Sequence, residues 1–178
     1  FHHDGERATS RAAEKYGNYY SLSTLSSVSI EEIGKLTKSP KMFQIYIHKD
    51  RALTYELIDR CKKANFTSLC LTIDTIVAGN RERDLRSGMT MPPKFTLASL
   101  FSFGMRPRWV FNYLTHESFK LANLEGKIEK GTKESISVID YLNSQFDTNL
   151  CWDDAQKAIQ AWGGPFAIKG VMSVEDAK

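Results

Sequence analysis

The chain has no run of ~18 consecutive apolar residues, so no segment reads as a membrane-spanning helix. It shows no signal peptide, internal repeat or low-complexity segment. It has no large excess of charge. A net +3 over 178 residues, with the bases spread along the chain, argues against a nucleic-acid surface. Cysteine is scarce. Cys61, Cys70 and Cys151 are odd in number and lack metal-ligand spacing, which reads as reduced core thiols of an intracellular protein. His2, His3 and Asp4 stand together, but adjacent histidines at a chain start are weak ground, and no metal is expected. His48 and His116 have no partner legible in the sequence and read as structural or exposed. There is no initiator Met; Phe1-His2-His3-Asp4-Gly5 reads as the middle of a longer protein.

What is present is an ordinary globular composition, 42% hydrophobic and 25% charged, with one domain over 1–178 as the default. Residues 5–16 predict a helix with Ala8, Ala12, Ala13 and Tyr16 on one side. A short strand over 19–25 follows, and Ser29 with Glu32 has the form of a capping box opening a second helix. Residues 41–47 predict a strand. Asp50 caps a helix to about Asn65, with Leu53, Leu57, Ile58 and Cys61 turned inward. A strand over 68–74 leads into a long irregular stretch, 75–150. A helix over 153–162, a strand over 165–169 and a further helix opening at Ser173-Val174-Glu175-Asp176 complete the pattern. Strands alternating with helices mean an α/β fold with a parallel sheet.

The chemistry gathers around 69–86. Leu69, Leu71 and Ile73 alternate with Cys70, Thr72 and Asp74, the period of a strand with two different faces. A buried, unpaired carboxylate is costly, so Asp74 needs a reason. Gly79 allows a turn, and Arg81 follows Asp74 by seven residues in a run of mixed charge. Each strand carries its polar residues at its C-terminal end: Ser21 and Ser23, Gln44 and Tyr46 opposite Phe43, Ile45 and Ile47, Thr72 and Asp74, and Lys169. In parallel α/β folds ligands sit there. Ser23, Gln44, Tyr46, Thr72 and Lys169 would then converge on one mouth, able to hydrogen-bond a heterocycle and supply a positive charge. Arg81 can grip a carboxylate in a two-point fork. The residues alone also allow a blander reading: interior polar groups, a solvated lysine, and surface ion pairs among Arg81, Arg83, Arg86, Glu82 and Asp84.

Four stretches in order carry a resemblance over the whole chain. They are L-S-T-L-S-S-V-S-I-E-E from Leu22, F-Q-I-Y from Phe43, L-T-I-D-T from Leu71 with G-N-R-E-R-D from Gly79, and A-I-K-G from Ala167. The chain resembles the FMN-dependent 2-hydroxy-acid dehydrogenases and oxidases, most of all their bacterial respiratory L-lactate-oxidising branch. The resemblance implies an eight-stranded β/α (TIM) barrel, of which this chain carries roughly strands two to five, with a long insertion after the fourth. It implies that Ser23, Gln44 and Thr72 bind FMN. Lys169 would lie beside the flavin N1–C2 carbonyl edge and stabilise the negative charge of reduction. Tyr46 and Arg81 would contact the substrate, and Asp74 would orient a histidine base. Leu25 stands where glycolate-specific relatives carry tryptophan, which suits a larger substrate. The implied reaction is oxidation of L-lactate to pyruvate, with electrons passed to a respiratory acceptor. An oxygen-using oxidase and a non-catalytic α/β barrel piece remain alternatives. The complete enzyme is expected to be a homo-oligomer, on the cytoplasmic face of the inner membrane or in the cytoplasm.

The departures are as informative. The family's S-N-H-G-x-R-Q motif, with its histidine base and second substrate arginine, is missing and is expected beyond Lys178. The glycine-rich phosphate segments and the N-terminal substrate tyrosine are also missing. A full barrel needs about 250 residues, so activity is expected of the longer protein and not of this piece alone.

The insertion has a composition of its own. Between Asp84 and Glu117 there is no acid, but Arg86, Lys94, Arg106 and Arg108 are interleaved with Phe95, Phe101, Phe103, Trp109, Phe111 and Tyr113. Bases with aromatics suit a membrane interface. The competing expectation is a lid over the barrel mouth with its aromatics buried.

Overall fold

The computed structural model describes residues 3–75, 79, 82–87, 96–116, 120–124 and 144–178. In chain order these form α1 (Gly5–Lys15), β1 (Tyr20–Ser23), α2 (Ile30–Leu36), β2 (Lys41–Ile45), α3 (Arg51–Lys63) and β3 (Ser68–Thr72). Then come α4 (Glu82–Ser87), α5 (Leu97–Gly104), α6 (Pro107–Thr115), α7 (Trp152–Trp162) and β4 (Phe166–Lys169). The four strands form one parallel sheet in the order β1-β2-β3-β4. A helix between each parallel pair is the connection such a sheet demands.

Alternation along the strands sorts their side chains. Leu22, Phe43, Ile45, Leu69 and Leu71 lie fully buried on one face. The helices cover that face through Ile30 and Ile33 of α2, Leu53, Leu57, Ile58 and Cys61 of α3, and Ala155, Ala158 and Trp162 of α7. Each fully buried aliphatic contributes about 1.5–3 kcal/mol, so this face dominates the stability of the sheet. The α2 backbone comes so close to the end of α3 that a Cβ on Gly34 would lie 2.7 Å from the Ala64 carbonyl oxygen. β3, flanked by β2 and β4, is buried at all five positions.

The caps follow the sequence. Ser29 accepts a hydrogen bond from the Glu32 amide, and Asp50 accepts one from the Ala52 amide at 3.0 Å. Glu32 does not return the bond to complete the box; its carboxylate pairs with Arg7 of α1 instead. The inward side of α1 also differs from expectation. Ser10 is the buried residue, while Ala12 and Tyr16 face solvent. Its hydroxyl returns to the Arg7 carbonyl at 3.1 Å, which lets a polar residue face the fold.

Three further expectations are corrected. The stretch 75–150 is not irregular throughout: it holds α4, α5 and α6 among its described residues. Thr96 caps α5 and Pro107 opens α6, signals that the long loop assignment passed over. Ser173 does accept the Asp176 amide, at 3.0 Å, but the chain from there to Lys178 forms turns rather than a helix. Of the cysteines, Cys61 and Cys70 are buried but Cys151 is exposed, at the N-cap of α7.

Two basic groups are buried in ways that the sequence does not show. Lys41, at the N-terminal end of β2, is 2% exposed and donates to the Thr37 and Ser39 carbonyls at 2.8 and 3.3 Å. His48, three residues past β2, is buried against the Thr54 hydroxyl, with Nδ1 3.3 Å from it.

Candidate active site

The sheet face turned away from the helices carries Ser23, Gln44, Cys70, Thr72 and Lys169. Parallel register brings them together. Ser23 pairs with Gln44, Gln44 with Cys70, and Thr72 with Lys169. The Ser23 hydroxyl donates to Gln44 Oε1 at 3.1 Å, and Gln44 Nε2 donates to the Thr72 hydroxyl at 2.8 Å. A row of hydrogen-bonded side chains thus crosses three strands at their C-terminal ends. An amide has two N–H donors and two acceptor lone pairs, and a hydroxyl has three sites, so the row retains capacity for a ligand.

At its far end the row meets an ion pair. Lys169 Nζ lies 3.3 Å from each carboxylate oxygen of Asp74. That hydrogen bond, with a smaller contribution from the Thr75 hydroxyl, holds the Asp74 carboxyl below the usual range. Burial pushes the neighbouring Cys70 thiol up, against the pull of the lysine charge. The expectation of a buried carboxylate at Asp74 is corrected here: the Lys169 and Asp74 side chains are 53% and 39% exposed, and each has the other as partner. Gly170 seats the pair. Its φ of +103 excludes ordinary side chains, and a Cβ there would lie 2.6 Å from Asp74 Cβ and 2.9 Å from the Asp74 amide nitrogen.

The remaining sequence candidates fall around this row. Tyr46 follows Gln44 by two residues, half-buried, with its ring in a T-shaped pair with Phe146 at 5.9 Å between centroids. Leu25 follows Ser23 by two, packs partly against the core, and donates its amide to the Ser23 hydroxyl at 3.2 Å. Arg81 lies outside the described residues. Among the described residues no group of three or more His, Cys, Asp or Glu is placed to hold a metal ion.

Two residues at the site were not singled out from sequence. Asn123, 2% exposed, accepts from the Ile30 amide at 2.9 Å and donates to the Ser26 hydroxyl at 2.9 Å. Its amide also reaches the Ser23 and Thr24 carbonyls at 3.4 Å, so it fixes the turn that leaves β1. Phe146 is the other. The apolar cluster Leu121-Ala122-Asn123-Leu124 is the signal that could have pointed to the first.

The model of the FMN-dependent dehydrogenase family matches residues 1–178. An L-lactate dehydrogenase of Vibrio parahaemolyticus is 34% identical over 175 residues, which cover 98% of this chain and 46% of that protein. One from Acinetobacter baylyi is 35% identical over 175 residues, covering 98% and 45%. The crystal structure of (S)-mandelate dehydrogenase, a monotopic membrane protein, matches with a TM-score of 0.85 at 27% identity, over 98% of this chain and 46% of that one. The chain spans a little under half the length of these proteins. With its whole length matched, it belongs to the family of FMN-dependent dehydrogenases.

Proposed function

We propose that the complete protein oxidises L-lactate to pyruvate and passes the electrons to a respiratory acceptor, with FMN as cofactor. The observation that carries this reading is the row Ser23–Gln44–Thr72 ending on the Lys169–Asp74 pair. Neutral hydrogen-bonding groups beside one fixed cation fit a heterocycle whose edge becomes negative on reduction. Bound FMN supplies the two-electron acceptor that no side chain can. The chain's own residues bind and orient. Ser23, Gln44 and Thr72 hold the heterocycle, and Lys169 holds positive charge at the end of β4. Arg81 grips the substrate carboxylate, Tyr46 contacts the substrate, Leu25 leaves room beyond the size of glycolate, and Asp74 orients a histidine base supplied from outside this chain. The four strands then act as the second to fifth of an eight-stranded barrel, and residues 1–178 as one part of a single barrel domain. The relatives named L-lactate dehydrogenase support this substrate. Anaerobic mixing of the complete, flavin-loaded protein with L-lactate is the test: the flavin absorbance bleaches, and a quinone or dye restores it faster than oxygen does. Faster recovery with oxygen would make the protein an oxidase; no bleaching would remove the reading.

We further propose that α5 and α6 rest on a membrane surface. Among the described residues no helix is long and apolar enough to cross a membrane. Yet Leu97 is 88%, Phe101 73% and Leu114 74% exposed. Arg106 and Arg108 are exposed beside them, and no acid lies in either helix. Phe103, Trp109 and Tyr113 stack in a row at 5.2 and 5.3 Å, which stiffens the helix pair. Among the described residues no side chain of either helix is buried, which supports the membrane reading over the lid. Replacing Leu97, Phe101, Phe111 and Leu114 by aspartate should release the complete protein from membranes. Each apolar side chain contributes about 1.5–3 kcal/mol when withdrawn from water, so four lower partitioning more than a hundredfold. Dye reduction by lactate should persist. Undiminished sedimentation with membranes would show that these helices are not the contact.

A further inference from the structure

The far end of the insertion returns to the mouth and is held there by several independent contacts. Phe146 forms an antiparallel bridge with His48. The Lys49 amide donates to the Gln145 carbonyl at 2.9 Å, and the Asp50 amide to Gln145 Oε1 at 3.3 Å. Arg51, at the start of α3, reaches across to Asp147 at 2.6 Å and to Asp154 of α7 at 3.3 Å, while its other amino group donates to the His48 carbonyl. The guanidinium therefore ties the loop after β2, the end of the insertion and the first turn of α7 into one unit. The outcome at the mouth is the Tyr46–Phe146 pair, with an interplanar angle of 80°.

We propose that Phe146 is a positioning residue for Tyr46, delivered by the Arg51–Asp147–Asp154 latch, and so sets how the enzyme holds its 2-hydroxy acid. This rests on the reading above that Tyr46 touches the substrate. A phenol at a loop position has two free torsions. A second ring packed against it at a T-shaped angle removes most of that freedom, so its hydroxyl meets the substrate without first being ordered. The link is not local: Tyr46 and Phe146 lie 100 residues apart in the chain.

The test is a double-mutant cycle in the complete, flavin-loaded enzyme, with Phe146→Ala, Tyr46→Phe and both together. Phe146→Ala is expected to lower kcat/KM for L-lactate about five- to tenfold, mostly through KM, an effect in the range of one aromatic pair. Phe146→Tyr, which keeps the ring edge, is expected to stay within about twofold of wild type on the same grounds. In the Tyr46→Phe background the alanine substitution should cost little more. Additive losses would overturn the proposal, because Phe146 would then act elsewhere. So would an unchanged kcat/KM in Phe146→Ala. If Tyr46→Phe is itself silent while Phe146→Ala is not, the substrate role of Tyr46 fails, and with it this proposal. Should the alanine variant unfold, Arg51→Lys tests the same latch: it keeps the charge but loses the planar fork that holds the two carboxylates with one amino group and the His48 carbonyl with the other, and a KM unchanged in that variant would overturn the latch.

Discussion

In the complete enzyme, Lys169→Met is expected to slow lactate-driven bleaching of the flavin by at least about a hundredfold, the scale of losing one preorganised electrostatic group. The lysine owes its position to three constraints already in place before any ligand arrives. Register sets it beside Thr72, β4 ends on it, and the Asp74 carboxylate holds its ammonium at 3.3 Å. A cation fixed in this way meets charge as it develops without reorganising, so its loss falls on kcat more than on KM. A second readout follows from the carboxylate. Lys169 is the main cause that keeps the Asp74 carboxyl low. The ionised form is therefore present above that lowered value and is lost as pH falls through it. With the lysine gone, the loss should begin at higher pH, and the acid limb of the pH–rate profile should move up. Wild-type bleaching at saturating lactate would show that Lys169 is only a strand-end lysine with an acidic neighbour.

Acid should weaken the fold through His48. Burial lowers its pKa from 6.5 to about 4, so the folded protein keeps the ring neutral where the unfolded chain takes up a proton. Stability from this residue is intact above pH 6.5 and falls progressively as pH drops toward 4. Below that value both states are protonated and the loss stops. At 1.36 kcal/mol per pKa unit the loss amounts to about 3 kcal/mol, a large part of an ordinary domain's stability. Glu31, held low chiefly by its bond to Arg60, titrates in the same direction at lower pH, so the wild-type curve is a sum. Urea unfolding of the complete protein at pH 7 and pH 4.5, with and without His48→Gln, isolates the histidine. The variant should lose less stability on acidification than wild type, by roughly 2–3 kcal/mol. Equal losses would place the acid sensitivity elsewhere.

What could be read from sequence was what depends on local pattern. Phe43 and Ile45 against Gln44 fix the two faces of β2 by alternation alone, and Leu53, Leu57, Ile58 and Cys61 fix the inward side of α3 by helical spacing. The row at the strand ends was legible because parallel register aligns like ends. The relation between Asp74 and Lys169 was not. They lie 95 residues apart, and nothing in either motif says that one partners the other. Asn123 and Phe146 were hidden for the same reason, inside a stretch whose composition drew attention to its aromatic middle instead of its two ends. Ser10 shows the converse: a helix with alanines at 8, 12 and 13 invites an apolar face, but a side chain that bonds its own backbone can be buried in their place.

Asn123 also has a consequence in time. The turn leaving β1 has its amide and carbonyl partners on a side chain made 93 to 100 residues later. At roughly 5–20 residues per second, a ribosome takes about 5–20 seconds to deliver it. Throughout that interval the nascent chain has β1 and α2 while the turn between them lacks the side chain that satisfies the Ile30 amide and the Ser26 hydroxyl, and water must stand in for it.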